Sequence, residues 1–166
     1  MKITKTKLHS GFTLMEVLVA LAVLSIGLLG MAGMQLFSLK SSNDAYMRTQ
    51  ATLFAYELID KMRANREEAL TGAYDSALNA IPGPVPNCQS GNCTTTQLAN
   101  YELAEWKCGL GVYAGNASCA APLNMTSILP NGDGTVQRTN NVFTVTVSWN
   151  QRGNATPENV MVMAEL

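Results

Sequence analysis

Two groups of residues in this 166-residue chain have types and spacings that could do chemistry: the lone carboxylate of Glu16, and four cysteines. Glu16 is the only charged residue between Phe12 and Leu39 and lies in a run of apolar side chains. A carboxylate inside a membrane helix costs about 2.5–3.5 kcal/mol at the helix centre, so it marks a functional position that needs a partner. The positive ammonium of a newly formed N-terminus nearby is one such partner. The alternative is that Glu16 lies near the membrane interface and reaches water.

The first residues of the chain are basic, and an apolar segment follows them directly. Lys2, Lys5 and Lys7 precede residues 12–34, which would span about 34 Å as a helix and so cross a hydrocarbon core of about 30 Å. Positive charge beside such a segment stays cytoplasmic, so the C-terminal side is expected to face outward. The segment is longer than an ordinary secretory signal and has no small-residue cleavage site at its end, which favours a membrane anchor.

The four cysteines allow a metal site or disulfide bonds. Four thiolates could hold zinc, but the basic and apolar N-terminus resembles an export signal, and an exported head would lie in an oxidising compartment where disulfides persist. Disulfides are therefore favoured over zinc, and the pairs that close the shortest loops are Cys88 with Cys93 and Cys108 with Cys119.

Composition and motifs exclude several functions. The net charge is −1 and no basic stripe follows the first seven residues, so the sequence predicts no nucleic-acid partner. His9 is the only histidine, and no motif gathers carboxylates or places a base beside a serine or cysteine. The sequence therefore predicts neither catalytic residues nor a cofactor, and the chain is not expected to be an enzyme.

The element that must position Glu16 is one long helix. No proline occurs between Phe12 and Leu70, and Gly72 is the first helix-ending glycine, so a helix is predicted over residues 12–70. Its first half is apolar on every side. Its second half has a one-sided apolar stripe, which is expected to pack on a globular head, formed by Met47, Ala51, Phe54, Ala55, Leu58, Ile59 and Met62.

Three glycines interrupt the apolar half of this helix at three-residue intervals, Gly27, Gly30 and Gly33. They allow close approach of another helix, or local unwinding where the chain leaves the membrane, or they are simply tolerated there.

The rest of the chain predicts a small head with one helix and a sheet. Residues 72–92 are rich in Gly, Pro, Asn and Ser and predict a loop. Thr94 and Gln97 predict the start of a helix with Trp106 in the core and with Glu102, Glu105 and Lys107 exposed.

Beyond Cys119 the sequence alternates between apolar and polar residues, which is typical of strands. Val142–Trp149 predicts a half-buried strand, with further strands near residues 135–138 and 160–166, a turn at 130–134 and a loop at 150–157. The expected fold is α+β, with the long helix packed on an antiparallel sheet.

The sequence Gly11-Phe12-Thr13-Leu14-Met15-Glu16 with the apolar run after it resembles the class III signal of type IV pilins and type II secretion pseudopilins. The resemblance implies that a prepilin peptidase cuts after Gly11 and N-methylates Phe12, and that Glu16 assists assembly. It implies a type IV pilin-like fold divided into a leader (residues 1–11), a transmembrane and filament-core helix (12–39), an amphipathic half-helix (40–71) and a disulfide-bonded head (72–166).

Two further stretches resemble the minor pilins of the PilV type. One is residues 55–66, and the other is the Cys88–Cys93 pair followed by residues 97–106. The apolar helix lacks the proline that major pilins commonly carry, which favours a minor subunit. A departure from the family pattern is that Cys108 and Cys119 lie inside the head rather than as a single pair near the C-terminus.

The resemblance implies a role in type IV pilus assembly, in a membrane priming or tip complex. The implied partners are other minor pilins, the major pilin and the prepilin peptidase. The implied location is the bacterial inner membrane, with the head in the periplasm, and afterwards the pilus at the cell surface. One alternative is a minor pseudopilin of type II secretion, and a further one is a membrane-anchored ligand-binding or adhesive domain.

Overall fold

The computed structural model describes residues 11–120, 123–151 and 156–166 of the chain. Within them the helices are α1 (Leu14–Ala64), α2 (Arg66–Thr71) and α3 (Thr95–Leu110), followed by a 3₁₀ turn, Ala117–Cys119. The strands β1 (Asp133–Thr139), β2 (Val142–Trp149) and β3 (Glu158–Glu165) form an antiparallel sheet in the order β1-β2-β3. The predicted α+β class, with a long N-terminal helix and a small antiparallel sheet, is confirmed. The basic residues predicted in the leader, with His9, lie outside the described residues, as does the middle of the loop predicted at 150–157.

The chain forms two compact units, one up to Asn43 and one from Asp44 to Leu166. In the first, every described residue is exposed, including the large apolar side chains. Helix α1 is long and apolar enough to cross a membrane. It continues without a break through Gly27, Gly30 and Gly33, so the local unwinding considered for these glycines is not seen.

In the second unit, one side of α1 forms the floor of the main core. Six side chains of the predicted stripe are buried and Met47 is half-buried. They pack against α3 and against the inner face of β2, which contributes Phe143, Val145, Val147 and Trp149. The sequence pattern therefore identified the correct face of this helix.

The prediction of one helix over residues 12–70 is wrong in two places: α1 begins at Leu14 rather than Phe12, and it is interrupted at Asn65. Asn65 has φ −119° and ψ 52°, which ends α1 before α2 begins. Its buried side chain donates hydrogen bonds to the Thr95 carbonyl (2.9 Å) and to the Tyr74 hydroxyl (3.3 Å), and these bonds link the break to the start of α3. Gly72 then ends α2 with a left-handed φ of 95°, which glycine adopts without steric cost.

Helix α3 begins with a complete capping box. The Thr94 hydroxyl accepts from the Gln97 amide, and the Gln97 side chain accepts from the Thr94 amide. Trp106 lies in the core as predicted, and its indole N–H donates to the Phe54 carbonyl at 3.0 Å. This bond fixes α3 on α1.

The observed strands are at most a few residues longer than the predicted ones. Strand β2 matches its predicted bounds, whereas β1 and β3 each begin two residues earlier than predicted. On the outer side of β1, Ser76 and Val136 exchange two backbone hydrogen bonds of 3.0 and 2.9 Å. The segment after α2 therefore covers this edge of the sheet.

Substitution of Gly134 by alanine should destabilise the head, because a Cβ there would lie 2.3 Å from the Trp106 ring and 2.9 Å from the Thr146 carbonyl oxygen. Moving the ring in a packed core costs about 1–3 kcal/mol. We expect Gly134→Ala to lower the free energy of unfolding by that amount in denaturant titrations followed by tryptophan fluorescence. The matched control is Gly83→Ala, since no atom lies within 4 Å of its added Cβ. Equal stability of the two variants would contradict the packing argument.

Candidate functional site

The N-terminal end of α1 is organised by Thr13. Gly11, Phe12 and Thr13 precede the helix, and the Thr13 hydroxyl accepts a hydrogen bond from the Glu16 amide at 3.3 Å. The Thr13 carbonyl accepts from the amides of Glu16 (3.1 Å) and Val17 (3.3 Å). Thr13 is therefore the N-cap, a role that was not predicted although the spacing Thr-x-x-Glu is typical of helix starts.

Glu16 lies one turn into this helix, on an exposed apolar face. It borders a shallow groove lined by Phe12, Val17, Ala20, Leu21 and Leu24. Among the described residues no cation forms an ion pair with its carboxylate. A carboxylate in the first turn is favoured by the helix dipole, but its placement leaves it open to a positive group from another molecule.

The apolar side chains around Glu16 are exposed. Phe12 is 82% exposed and Leu14 is 85% exposed. Soluble monomers rarely expose contiguous apolar surface of more than a few hundred Å². This part of α1 therefore requires a membrane or other apolar helices around it.

The four cysteines form two disulfides, one half-exposed and one buried. Cys88 is joined to Cys93, with Cα atoms 5.6 Å apart, directly before the N-cap of α3. Cys108 is joined to Cys119 inside a second apolar cluster with Tyr101, Ala104, Tyr113 and Leu123. All four thiols are consumed in this way. Within the described residues no group of three or more His, Cys, Asp or Glu side chains is placed to hold a metal ion.

A buried ion pair that the sequence did not reveal joins α3 to β1. The Lys107 ammonium donates to the Asp133 carboxylate (2.6 Å) and to the carbonyls of Ala77 (3.0 Å) and Gly134 (2.8 Å). Asp133 also accepts from the amides of Asn79 and Gly134, each at 2.7 Å. Because an ammonium has three donors, Lys107 is fully satisfied in the interior.

The expectation that Lys107 lies on the exposed face of α3 is therefore wrong. Residues 106–110, the last turn of α3, are all buried. The Lys107 ammonium lies between its three hydrogen-bond partners and the Tyr113 ring, whose centre is 5.5 Å away. Burial lowers the pKa of Lys107, and the bond to Asp133 partly offsets this. Burial and the nearby Asp133 charge raise the pKa of Tyr113 to about 12.

A second polar cluster lies at the junction of α1, α2 and α3. The Tyr74 hydroxyl donates to the Glu102 carboxylate and accepts from the Asn65 amide. Burial, followed by the bond to Glu102, raises the pKa of Tyr74, and burial raises that of Glu102. Lys61 binds Glu57 (2.7 Å) and Glu105 (2.8 Å) beside it. These bonds hold the three helices together.

Two protein families match adjacent stretches of the chain. The family described as the prokaryotic N-terminal methylation motif matches residues 6–32, and the family described as type IV pilin Tt1218 matches residues 33–104. These matches support the type IV pilin superfamily. No curated protein and no solved structure matches the chain.

The pilin match covers the part of the chain where the structure joins the long helix to the head. It runs from the end of the exposed apolar segment to the middle of α3, and so includes Asn65, Tyr74 and the Cys88–Cys93 disulfide. The methylation motif covers Gly11, Phe12 and Glu16. The pilin family is structural rather than enzymatic, which agrees with a head whose polar clusters serve packing.

Replacement of Lys107 by methionine should destabilise the head strongly, because it leaves the Asp133 carboxylate buried without its cation. Breaking a buried pair in this way costs about 3–5 kcal/mol. The matched control is Arg63→Met, which also removes one positive charge but breaks only the exposed pair with Asp60 (3.0 Å) and should cost about 1 kcal/mol or less. Urea unfolding of both variants in detergent measures the difference. Equal losses would show that the Lys107–Asp133 pair does not hold the head.

Proposed function

We propose that this chain is a minor pilin of the PilV type, which loses residues 1–11 and joins a type IV pilus through α1. The observation that carries the proposal is Glu16, a carboxylate without a cation among the described residues, in the apolar first half of α1, which is exposed on every side as far as Asn43. The match to the N-terminal methylation motif supports Gly11 as the cleavage position and Phe12 as the methylated residue. In this role the chain is a substrate of a prepilin peptidase and anchors in the inner membrane with its head in the periplasm.

In an assembled filament, Glu16 of one subunit would lie beside the N-terminal ammonium of its neighbour. Attraction between the two charges is strong in an apolar surrounding, but the loss of hydration offsets much of it. The pair would therefore set the axial position of one helix against the next more than it would add stability. The apolar side chains around Glu16 supply the packing that joins the helices.

Other minor pilins and the major pilin are the proposed partners, in a priming or tip complex that starts filament growth. The exposed apolar half of α1 suits any neighbour with a similar helix, so it offers little choice between partners. The choice would come from the head. The proposed division into leader (1–11), core helix (12–39), amphipathic half-helix (40–71) and head (72–166) follows from these tasks.

The second candidate is a minor pseudopilin of type II secretion. The N-terminal motif is shared by both systems and does not discriminate between them. The match of residues 33–104 to a family described as a type IV pilin favours the pilus.

The first test is the mass of the chain purified from its host. We expect residues 1–11 to be absent and the new N-terminal Phe12 to carry one methyl group, as tandem mass spectrometry of the N-terminal peptide will show. An intact leader, or a chain cut after the apolar segment, would contradict the pilin role.

The second test replaces Glu16 by glutamine, which keeps the size of the side chain and removes its charge. The neighbour's ammonium would then lie in apolar surroundings without its carboxylate, which is costly. Incorporation into sheared filaments should therefore fall by about tenfold or more, which corresponds to about 1.4 kcal/mol or more. The matched control is Glu67→Gln, which removes an exposed carboxylate of α2 and should leave incorporation unchanged.

Surface pili and exported proteins should be measured in the same Glu16→Gln cells. Fewer pili with normal export supports the pilus, whereas normal pili with failed export supports the pseudopilin. If the variant is incorporated as well as the wild-type chain, Glu16 has no role in assembly.

A further inference from the structure

The peptide bond between Gly11 and Phe12 lies just before α1. Gly11, Phe12 and Thr13 precede the first residue of this helix and are all exposed. Among the described residues no backbone amide donates a hydrogen bond to the carbonyl of Gly11 or Phe12, whereas the Thr13 carbonyl accepts from two amides. Both atoms of this peptide bond therefore lie outside the hydrogen-bonded turns of α1.

Thr13 sets the boundary between this bond and the helix. Its hydroxyl accepts from the Glu16 amide at 3.3 Å, and its carbonyl accepts from the amides of Glu16 and Val17. These bonds satisfy amides that the start of a helix otherwise leaves without a partner. Glu16 in the first turn supports the same start, because a carboxylate is favoured near the N-terminus of a helix.

The sequence offers a second start one helical turn earlier. Ser10 is also of a type that caps helices. A helix that began after Ser10 would contain Gly11 and Phe12 in its first turn, and the Gly11 carbonyl would accept from the Met15 amide. The two starts therefore place the same peptide bond outside or inside the helix.

Loss of the Thr13 hydroxyl is expected to lengthen the helix rather than shorten it. If α1 began later, amides of an apolar segment would lose their partners, and apolar surroundings supply no replacement. A start at Ser10 gives them partners within the helix. Gly11 opposes this longer helix, because glycine is a poor helix former. The choice between the two starts therefore depends on the acceptor at residue 13.

Hydrolysis of the bond after Gly11 requires access to both of its atoms. Water adds across the C–N bond, which leaves a carboxylate on Gly11 and an ammonium on Phe12. The Gly11 carbon must be reached for attack, and the Phe12 nitrogen must be reached for protonation. Within a helix the backbone of the same turn surrounds both atoms, so cutting has to wait for local unfolding. A bond outside the helix can be cut without that step.

We propose that Thr13 is a positioning residue for the removal of residues 1–11. Its cap starts the helix beyond the bond between Gly11 and Phe12 and so presents that bond to the prepilin peptidase in non-helical form. Thr13 takes no part in the reaction itself. The inference rests on the proposed function, because it assigns a residue that governs the same cut. It implies that residue 13 acts through its hydrogen-bond acceptor rather than through its shape.

The test measures cutting of the full precursor, purified in detergent from cells that lack the peptidase, by membranes that contain it. Thr13→Ala removes the acceptor and adds a good helix former. We expect kcat/KM to fall by about threefold or more. Because only the non-helical fraction of the precursor is bound productively, the fall should appear as a higher KM with an unchanged kcat.

Three control variants accompany Thr13→Ala. Thr13→Ser and Thr13→Asn keep a side chain that caps helices, and both should be cut at the wild-type rate. Thr49→Ala removes a hydroxyl that donates to the Ala45 carbonyl at 2.9 Å within α1, and it should not affect cutting. If Thr13→Asn is cut as slowly as Thr13→Ala, the peptidase recognises the hydroxyl directly and the positioning role is wrong.

Nuclear magnetic resonance of the uncut precursors measures the helix start directly. With ¹³C at the carbonyl of Gly11, the wild-type chain and Thr13→Asn should show non-helical chemical shifts. Thr13→Ala should show a helical fraction that accounts for its loss of kcat/KM. Slower cutting with an unchanged Gly11 shift, a lower kcat at constant KM, or faster cutting of Thr13→Ala would each overturn the proposal.

Failure of the positioning role and failure of the proposed function give different results. If the wild-type precursor is cut after Gly11 and Thr13→Ala is cut equally well, Thr13 does not position the bond and the assembly role stands. If the wild-type precursor is not cut after Gly11, the proposed function is wrong and this inference falls with it.

Discussion

The ion pair between Lys107 and Asp133 is the interaction on which the head depends. It joins α3 to the first residue of β1. Through Ala77 and Asn79 it also holds the segment after α2, which covers the β1 edge of the sheet. A charged pair in the interior contributes little net stability compared with apolar packing, but it permits few alternative arrangements because every donor must be satisfied. The pair therefore specifies one arrangement of helix, strand and loop in a head whose three-stranded sheet is too small to do so alone.

Helix α1 has two different surroundings along its length. As far as Asn43 it is exposed on every side, whereas from Ala51 to Met62 one side is fully buried in the head. Because the helix runs unbroken to Ala64, this change in burial is not accompanied by a change in the backbone, and only the side chains differ between the two parts. The Trp106 indole, bonded to the Phe54 carbonyl, holds the second part to the head. The proposed pilin role needs this division, since the same helix would have to enter an apolar assembly while carrying a folded domain.

Most of the fold could be predicted from residue patterns, and the departures have local physical causes. Burial of one face spaces apolar residues at about 3.6 positions in a helix and at 2 in a strand. These spacings identified the buried side of α1, the core position of Trp106 and the bounds of β2. The break at Asn65 and the interior position of Lys107 could not be predicted in the same way. Both depend on partners distant in sequence, Thr95 and Asp133, and a polar residue in a helix gives no local sign of such a partner. For the candidate site, Glu16 stands out because charge is rare in an apolar run, whereas the Thr13 cap becomes visible only once the start of the helix is known.

The Thr13 cap bears on the proposed removal of residues 1–11. Residues 11–13 are not helical and Thr13 closes the first turn by itself, so cutting the peptide bond after Gly11 would leave α1 unchanged. The new ammonium on Phe12 would then lie at the positive end of the helix dipole, where a cation is disfavoured by about 0.3–1 kcal/mol. An isolated processed subunit would carry this penalty, reduced only by its own Glu16, which lines the same groove as Phe12. A neighbour that brings a carboxylate to the same point relieves it, so processing itself would make the solitary state the less favourable one.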